Sequence, residues 1–211
     1  DLFSEGLALE LEFNVEAALE KFELAIRQNP KNTQALIHAS RMLSNIGGRL
    51  PKTEHLQKLG YYERAKTYAE ESIELNASNP ESRLAYVISL GLQSEIATNP
   101  HEKVRYAQDI HSEAIRILEL DSTFAEAYFI LGKWQFELSR LNWVELMACR
   151  IFFGGFPEEI SMEKALHYFN RADSYKPNTI LFLFGLASAK HALGDNDKAI
   201  QTLQRALTLP L

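Results

Sequence analysis

Six histidines and one cysteine are the residues of this sequence best suited to metal binding or nucleophilic catalysis. The histidines are His38, His55, His101, His111, His167 and His191, and the cysteine is Cys149. No two of the histidines stand four residues apart, as the paired ligands of a helical zinc site do, and no HExxH motif occurs. Cys149 lies in an apolar segment, which predicts a buried and unreactive thiol. The sequence therefore predicts no metal site, no cofactor and no enzymatic activity.

Composition restricts the partners of the chain. Its 211 residues include 22 Lys and Arg against 28 Asp and Glu, a net charge of −6. An acidic chain without a basic stripe is not suited to neutralise phosphates, so no nucleic acid is expected as a partner. No apolar segment reaches the about 20 residues that a membrane-spanning helix needs, so no membrane span is expected. The lone cysteine leaves the compartment open, with the cytoplasm slightly favoured and a removed leader peptide compatible with the sequence.

Five segments of the chain are variants of one helical pattern. They are AALEKFELAIRQNP, ERAKTYAEESIELNASNP, QDIHSEAIRILELDST, EKALHYFNRADSYKPN and DKAIQTLQRALTLP. Each contains three small or apolar residues at steps of four and three, such as Ala165, Phe169 and Ala172, which places them on one helix face. A partner helix precedes each of the last four segments and resembles the first helix of a tetratricopeptide repeat.

This periodicity predicts an all-α fold, a right-handed superhelix of about five tetratricopeptide-like helix pairs with inserted or lengthened helices. We expect a single domain over 1–211, with repeats at about 3–30, 33–77, 78–122, 123–177 and 179–210. The breakers GGRLPK and TNP separate the lengthened helices. Asn79 with Pro80, and Thr123 with Glu126, predict helix starts. The alternative is a bundle without repeats, in which the alanine spacing is coincidental.

The segment LNWVELMACRIFFGGF, residues 141–156, is unusually apolar for an acidic protein. It predicts an inserted helix at about 141–153 with apolar residues on nearly every face, ended by GGFPEE, after which Ser161 caps the next helix. We favour an extra helix that fills the hollow of the repeats. The alternatives are a lid over a ligand groove and an interfacial membrane contact. The residues of such a lid would be Trp143, Phe152 and Phe153.

Three longer segments resemble the regulator of microtubule dynamics family. They are YFILGKWQFELSRLNWVE, FFGGFPEEISMEKALHYFNRADSYKPN and LGDNDKAIQTLQRALTLP, and the resemblance covers most of residues 15–210. Its most specific feature is the tryptophan pair Trp134 and Trp143, which ordinary tetratricopeptide proteins do not carry inside an insertion. The resemblance implies an all-helical adaptor domain without catalysis, associated in animal members with microtubules or organelle contacts.

The first helix of each repeat lines the concave face of a stack of helix pairs. The repeat frame places eleven residues toward that groove: Ile37, His38, Arg41, Leu84, Ile88, Phe129, Lys133, Phe136, Phe184, Ser188 and His191. This predicts a mostly apolar strip with two fixed positive charges, Arg41 and Lys133. Two are too few for a clamp on acidic C-terminal peptides. The alternative is that each cation pairs with a neighbouring glutamate of the stack.

Two functions fit this groove. The first is a protein-interaction adaptor that binds a helix or an extended peptide, with apolar anchors against the phenylalanines and a carboxylate paired with Arg41 or Lys133. The second is a binder of an amphipathic small molecule, such as a fatty acid or phospholipid, closed by the inserted helix. The last helix leaves an apolar face uncovered, which predicts either a longer native chain or a homodimer through this face.

Overall fold

The computed structural model describes residues 1–154 and 159–210, which form eleven α-helices and no strand. The helices are α1 (Leu2–Leu11), α2 (Val15–Gln28), α3 (Thr33–Arg49), α4 (His55–Leu75), α5 (Pro80–Ile96), α6 (Pro100–Leu120), α7 (Ala125–Ser139), α8 (Trp143–Phe153), α9 (Met162–Tyr175), α10 (Ile180–Ala192) and α11 (Asn196–Leu207). The predicted all-α class is confirmed. The expected lengthened helices are α4 and α6, each of 21 residues, and the inserted helix is α8.

Local sequence signals set most of the helix ends. Asn79 caps α5 because its side-chain oxygen accepts a backbone N–H at 2.9 Å, and Pro80 is the first helical residue. Ser161 caps α9 in the same way. The GGRLPK break ends α3 at Arg49, and the TNP break separates α5 from α6. These predicted starts and breaks are confirmed.

The predicted capping box of α7 is wrong. The helix starts at Ala125, and Phe124 at the N-cap position makes no side-chain cap. Thr123 donates both its N–H and its hydroxyl to Asp121 Oδ1, at 2.8 and 2.7 Å. The short side chain of Asp121 accepts both hydrogen bonds and closes a local turn. Thr123 is therefore not available to cap the helix. The other expected member of the box, Glu126, instead binds a lysine side chain at 2.6 Å.

Contacts between helices group the chain into two compact units, Asp1–Ile110 (unit 1) and His111–Leu211 (unit 2), which divide within α6. In unit 1, α2 packs on α1 and α3, while α3, α4 and α5 pack on one another. In unit 2, α7 and α10 both pack on α9 and on each other, and α11 packs on α10. Helices joined by such short loops form antiparallel hairpins. The single domain over 1–211 and its repeat boundaries stay predictions.

Aromatic rings occupy the space left by glycine in unit 1. A Cβ added to Gly6 of α1 would stand 2.6 Å from Cε1 of Phe22 on α2. A Cβ on Gly47 of α3 would stand 2.5 Å from the Tyr62 ring on α4. Both distances are far below van der Waals contact, so each ring lies directly against the backbone of the neighbouring helix.

In unit 2 a single ring makes this contact with two helices. The Phe169 ring of α9 lies 2.7 Å from the Cβ position of Gly132 on α7 and 2.7 Å from that of Gly185 on α10. Phe129 of α7 completes the cluster, with its ring centroid 5.6 Å from that of Phe169 and 5.1 Å from that of Phe182. One ring therefore holds three helices at short spacing.

The small residues of the repeated pattern face the core in the second helix of three repeats. Buried triplets lie on α2 (Ala18, Phe22, Ala25), α4 (Ala65, Ala69, Ser72) and α9 (Ala165, Phe169, Ala172). The last copy differs, because Ala199 is buried but Leu203 is exposed. An apolar row on α11 therefore faces solvent. It consists of Ile200, Leu203 and Leu207, and we call it the α11 stripe. The homodimer through this face stays a prediction.

Replacing Gly132 or Gly185 with Ala is expected to lower the free energy of unfolding by about 1 to 3 kcal/mol, because the added methyl group overlaps the Phe169 ring. Urea denaturation of each variant measures the loss. The matched control is Gly60→Ala, inside α4, where an added Cβ meets no atom within 4 Å. That change should be neutral or stabilising by up to about 1 kcal/mol. Equal effects at all three positions would contradict the close contact of Phe169 with Gly132 and Gly185.

Candidate functional site

The residues predicted to line the groove in unit 1 mostly serve the fold. Ile37 is only 2% exposed and packs against Ala69 and Ala85 in the core, rather than toward a ligand. Leu84 is half-buried and Ile88 is partly exposed. Unit 1 therefore offers little free apolar surface at these helix positions.

The two basic residues predicted for unit 1 bind a glutamate of α1. His38 Nδ1 donates to Glu10 Oε2 at 2.6 Å, and Arg41 lies 3.4 Å from Glu10 Oε1. The His38 ring also packs between Phe3 and Phe22, with centroids 5.6 and 5.1 Å away. The alternative in which Arg41 pairs with a glutamate of the stack is thus confirmed. Sequence reasoning missed Glu10, because it placed no groove residue in the first, partial repeat at about 3–30.

In unit 2, one face of α7 carries alternating aromatic and basic residues. Phe129, Lys133, Phe136 and Arg140 follow one another at steps of four, three and four, which puts them on one side of the helix. Phe129 and Phe136 are half-buried against Phe169, whereas Lys133 and Arg140 are exposed. The Arg140 guanidinium lies 5.5 Å from the centroid of the Phe136 ring, in a cation–π contact.

The neighbouring helix α10 carries a second row, formed by Leu181, Phe184, Ser188 and His191. Phe184 is 62% exposed and Leu181 is also exposed. Ser188 donates its hydroxyl to the Phe184 carbonyl at 2.8 Å, and His191 Nδ1 donates to Asn196 Oδ1 at 2.7 Å. The apolar part of the row is therefore presented to solvent, while its polar members bond within the unit.

These two rows form a single candidate site, because α7 packs on α10 within unit 2. We call it the α7–α10 surface and define it by Phe129, Lys133, Phe136, Arg140, Leu181, Phe184, Ser188 and His191. None of the eight is acidic, although the exposed Glu137 lies beside them on α7. Sequence reasoning missed Arg140 and Leu181, which continuation of the same helix steps by one turn would have found. The surface combines exposed apolar groups with positive charge.

The inserted helix α8 starts at a capping box that the sequence interpretation overlooked. Asn142 Oδ1 accepts from the Glu145 N–H at 3.0 Å, and the Glu145 carboxylate accepts from the Asn142 N–H at 2.8 Å. Gly154, with φ 74°, ends the helix as predicted. Residues 155–158 of the expected break lie outside the described residues.

The expected burial of the outer face of α8 is wrong. Trp143 is 74% exposed, and Val144 and Ile151 face solvent with it, whereas Cys149 is buried. Cys149 lies six residues after Trp143, about 240° around the helix axis at 3.6 residues per turn, so the two side chains point in different directions. Trp143 is accordingly not folded over a groove. The side chains of Phe152 and Phe153, the other two predicted lid residues, lie outside the described residues.

The described part of the chain offers no metal site and no membrane span. Residues 1–154 and 159–210 contain no group of three or more His, Cys, Asp and Glu side chains placed to hold a metal ion. Over the same ranges, no helix has both the length and the apolar character needed to cross a membrane. The α7–α10 surface is therefore the candidate functional site.

Comparison with known sequences gives one family. The family described as regulator of microtubule dynamics protein 1-3 matches residues 4–211. The chain is 27% identical over 143 residues to regulator of microtubule dynamics protein 1 of Bos taurus, across 68% of this chain and 43% of that protein. It is 22% identical over 203 residues to regulator of microtubule dynamics protein 2 of Rattus norvegicus, across 95% of this chain and 49% of that protein. The chain spans about half the length of the curated relatives it matches.

Comparison with solved structures gives the repeat architecture. A thermophilic TPR protein of Thermus thermophilus superimposes with a TM-score of 0.73 at 16% identity, over 98% of this chain and 89% of that one. The crystal structure of MamA has a TM-score of 0.57 at 15% identity, over 96% and 92% of the two chains. At these identities the likeness establishes the fold alone, and it confirms the predicted tetratricopeptide-like class.

Replacing Glu10 with Ala is expected to destabilise unit 1 by about 1 to 2 kcal/mol, because it leaves the half-buried His38 without its acceptor and removes the pair with Arg41. The free energy of unfolding of the variant measures this loss. Glu12→Ala is the control, since Glu12 lies two residues away with an exposed side chain and should change stability little. Indistinguishable stabilities of the two variants would argue against a structural role for Glu10.

Cys149 is expected to resist alkylation in the folded protein. Its burial, and secondarily the negative charge of Glu145, raise the pKa of the thiol above its ordinary value, so less thiolate is present at neutral pH. Because the chain has one cysteine, the rate of its reaction with iodoacetamide reports this site alone. We expect a rate at least about tenfold below that of the urea-unfolded chain, rising only as the pH approaches the raised pKa. Equal rates in the two states would show that α8 does not bury Cys149.

Proposed function

Since the chain belongs to the regulator of microtubule dynamics family, we propose that it is a non-catalytic adaptor that binds a segment of another protein. The segment would lie on the α7–α10 surface as a helix or an extended peptide. The names of the relatives connect them with microtubule dynamics, and the proposed adaptor would serve the same process.

The exposed ring of Phe184 is the observation that carries this proposal. A phenylalanine that is 62% exposed contributes little to the core, and leaving its apolar surface in water is unfavourable. Leu181, one turn before it, is exposed as well. A contiguous exposed apolar patch beside polar and charged groups is typical of a protein-interaction site.

The charges of the surface favour an acidic segment. Lys133 on α7 and Arg140, the C-cap residue of this helix, lie next to the apolar residues, and the eight defining residues include no carboxylate. A partner with apolar side chains for Phe184 and Leu181 and an Asp or Glu for Lys133 or Arg140 would satisfy both features. Exposed charges mainly set orientation and association rate, so the apolar anchors would supply most of the affinity.

The second predicted function, binding of a fatty acid or phospholipid, requires an apolar cavity that excludes water. The inserted helix was expected to close such a cavity. In the described part of α8, Trp143, Val144 and Ile151 face solvent instead. This favours the peptide over a lipid under a lid, and lipid binding becomes one outcome of the experiment below.

Selection of a displayed random-peptide library on the whole chain tests the proposal. We expect the enriched peptides to combine aromatic or aliphatic residues with Asp or Glu. For a synthetic copy of one such peptide, Phe184→Ala should weaken binding about tenfold or more, because it removes a central apolar anchor. Lys133→Gln should weaken it less and reduce its dependence on salt. Fluorescence anisotropy of the labelled peptide measures both effects.

Leu56→Ala is the matched control, because Leu56 is a similarly exposed apolar residue on α4 of unit 1. It should leave the affinity unchanged. If the selected peptides bind Phe184→Ala as tightly as the unaltered chain, the site lies elsewhere and the proposed surface is wrong. Native mass spectrometry of the gently purified chain tests lipid binding, since a retained lipid would support the second function.

A further inference from the structure

The turn between α1 and α2 has a conformation and an exposure that the fold does not explain. Phe13 in this turn has φ 58°, in the left-handed region where a bulky side chain is strained. Its side chain is 82% exposed, so the ring adds almost nothing to the core. Leu11, two residues earlier, is exposed to nearly the same extent. The strained Phe13 and the last residue of α1 thus present two large apolar side chains to solvent.

The corresponding turn between α10 and α11 is made without this strain. Gly194 lies five residues before Ala199, as Phe13 lies five residues before Ala18, and it has φ 85°. Glycine adopts such a conformation without a steric penalty. The turn therefore does not require an aromatic residue, and Phe13 weakens it. The strained conformation of Phe13 does not stabilise the fold, and such strain is typical of residues with a role in binding.

Negative charge accompanies these two apolar residues. Glu12 lies between Leu11 and Phe13, and its side chain is exposed. Glu16 follows in the first turn of α2, where Arg49 approaches it only to 3.9 Å. The Leu11–Phe13 turn, defined as residues 11–13, therefore combines two apolar anchors with a carboxylate. Such an acidic apolar segment has the chemistry inferred for the ligand of the α7–α10 surface.

We propose that the Leu11–Phe13 turn of one copy docks on the α7–α10 surface of a second copy. The inference rests on the proposed function, because it uses the same surface. The two apolar anchors would cover Phe184, while Glu12 meets the positive charge of Lys133 and Arg140. Charge complementarity between the acidic turn and the basic, apolar surface identifies the second copy as the occupant.

The contact joins two different patches, so it is heterologous. Each copy has one turn to offer and one surface to receive a turn, and repetition gives a ring or an open chain rather than a two-fold dimer. Few anchors take part, which makes the interface smaller than a standard one and the association weak and reversible. Pairing through the α11 stripe would instead join identical patches and stop at two copies.

Sedimentation equilibrium of the 211-residue chain over a rising concentration series tests the proposal. We expect the mean mass of the unaltered chain to rise with concentration, and Phe13→Gly and Phe184→Ala each to stay monomeric. Because glycine relieves the left-handed strain, the midpoint of thermal unfolding of Phe13→Gly should equal or exceed that of the unaltered chain. Loss of assembly in this variant then cannot be assigned to unfolding.

Mixing the two variants gives the sharper result. The Phe13→Gly variant keeps an intact surface, and the Phe184→Ala variant keeps an intact turn. Each is monomeric alone, but an equal mixture should form a dimer with one copy of each and nothing larger. A mixture that stays monomeric, while the unaltered chain assembles, would overturn the proposal.

Two further outcomes also overturn it. The first is an unaltered chain that remains monomeric at every concentration. If that chain still binds selected peptides through Phe184, only this inference fails and the proposed function stands. The second is assembly that survives Phe13→Gly but is lost in Leu203→Arg, which would assign the contact to the α11 stripe.

Discussion

The position of one aromatic ring constrains the rest of unit 2. Phe169 lies against the backbone of α7 at Gly132 and of α10 at Gly185, where no side chain fits between them. Because protein interiors are packed as densely as organic crystals, this contact sets both the spacing and the rotation of the two helices. The rotation turns Phe129 into the core and leaves Lys133, one turn later, at the surface. The candidate site is thus a consequence of the packing behind it.

Buried glutamine side chains fix the position of neighbouring backbone segments through directional hydrogen bonds, which apolar contacts do not provide. Gln135 of α7 is fully buried, donates to the Glu159 carbonyl at 3.2 Å and accepts the Ser161 N–H at 2.9 Å. Since buried polar groups must be paired, this side chain fixes where the chain returns to the repeat after the insertion. In unit 1, Gln93 of α5 similarly donates to the Tyr62 carbonyl at 3.2 Å and accepts a tyrosine hydroxyl. An insertion can then be accommodated without loss of helix register.

The fold could be predicted because helical periodicity and chain breaks are local properties of the sequence. The site could be predicted only in part, because the exposure and the hydrogen bonds of a side chain depend on contacts with residues that are distant in the sequence. Glu10 is 28 positions from His38, and no local pattern reports their contact. The α8 capping box is different, since Asn142 and Glu145 have the spacing of a known motif that was available in the sequence. The orientation of Trp143 could not be predicted in this way, because α8 is apolar on nearly every face and its sequence does not show which face packs on the repeats.

On α10, the residues that stabilise the fold and the residue available for binding lie on different faces of the helix. On α10, Gly185, Ala187 and Ala189 are buried against neighbouring helices, whereas Phe184 on the same helix is exposed. Small side chains permit close helix approach, and they let the large buried residues of the same helix, Phe182, Leu183 and Leu186, pack tightly into the core. Phe184 and the strained Phe13 contribute little to the core, so both are available for association. Changes at the inner residues should act first on stability, and changes at the outer ones on binding.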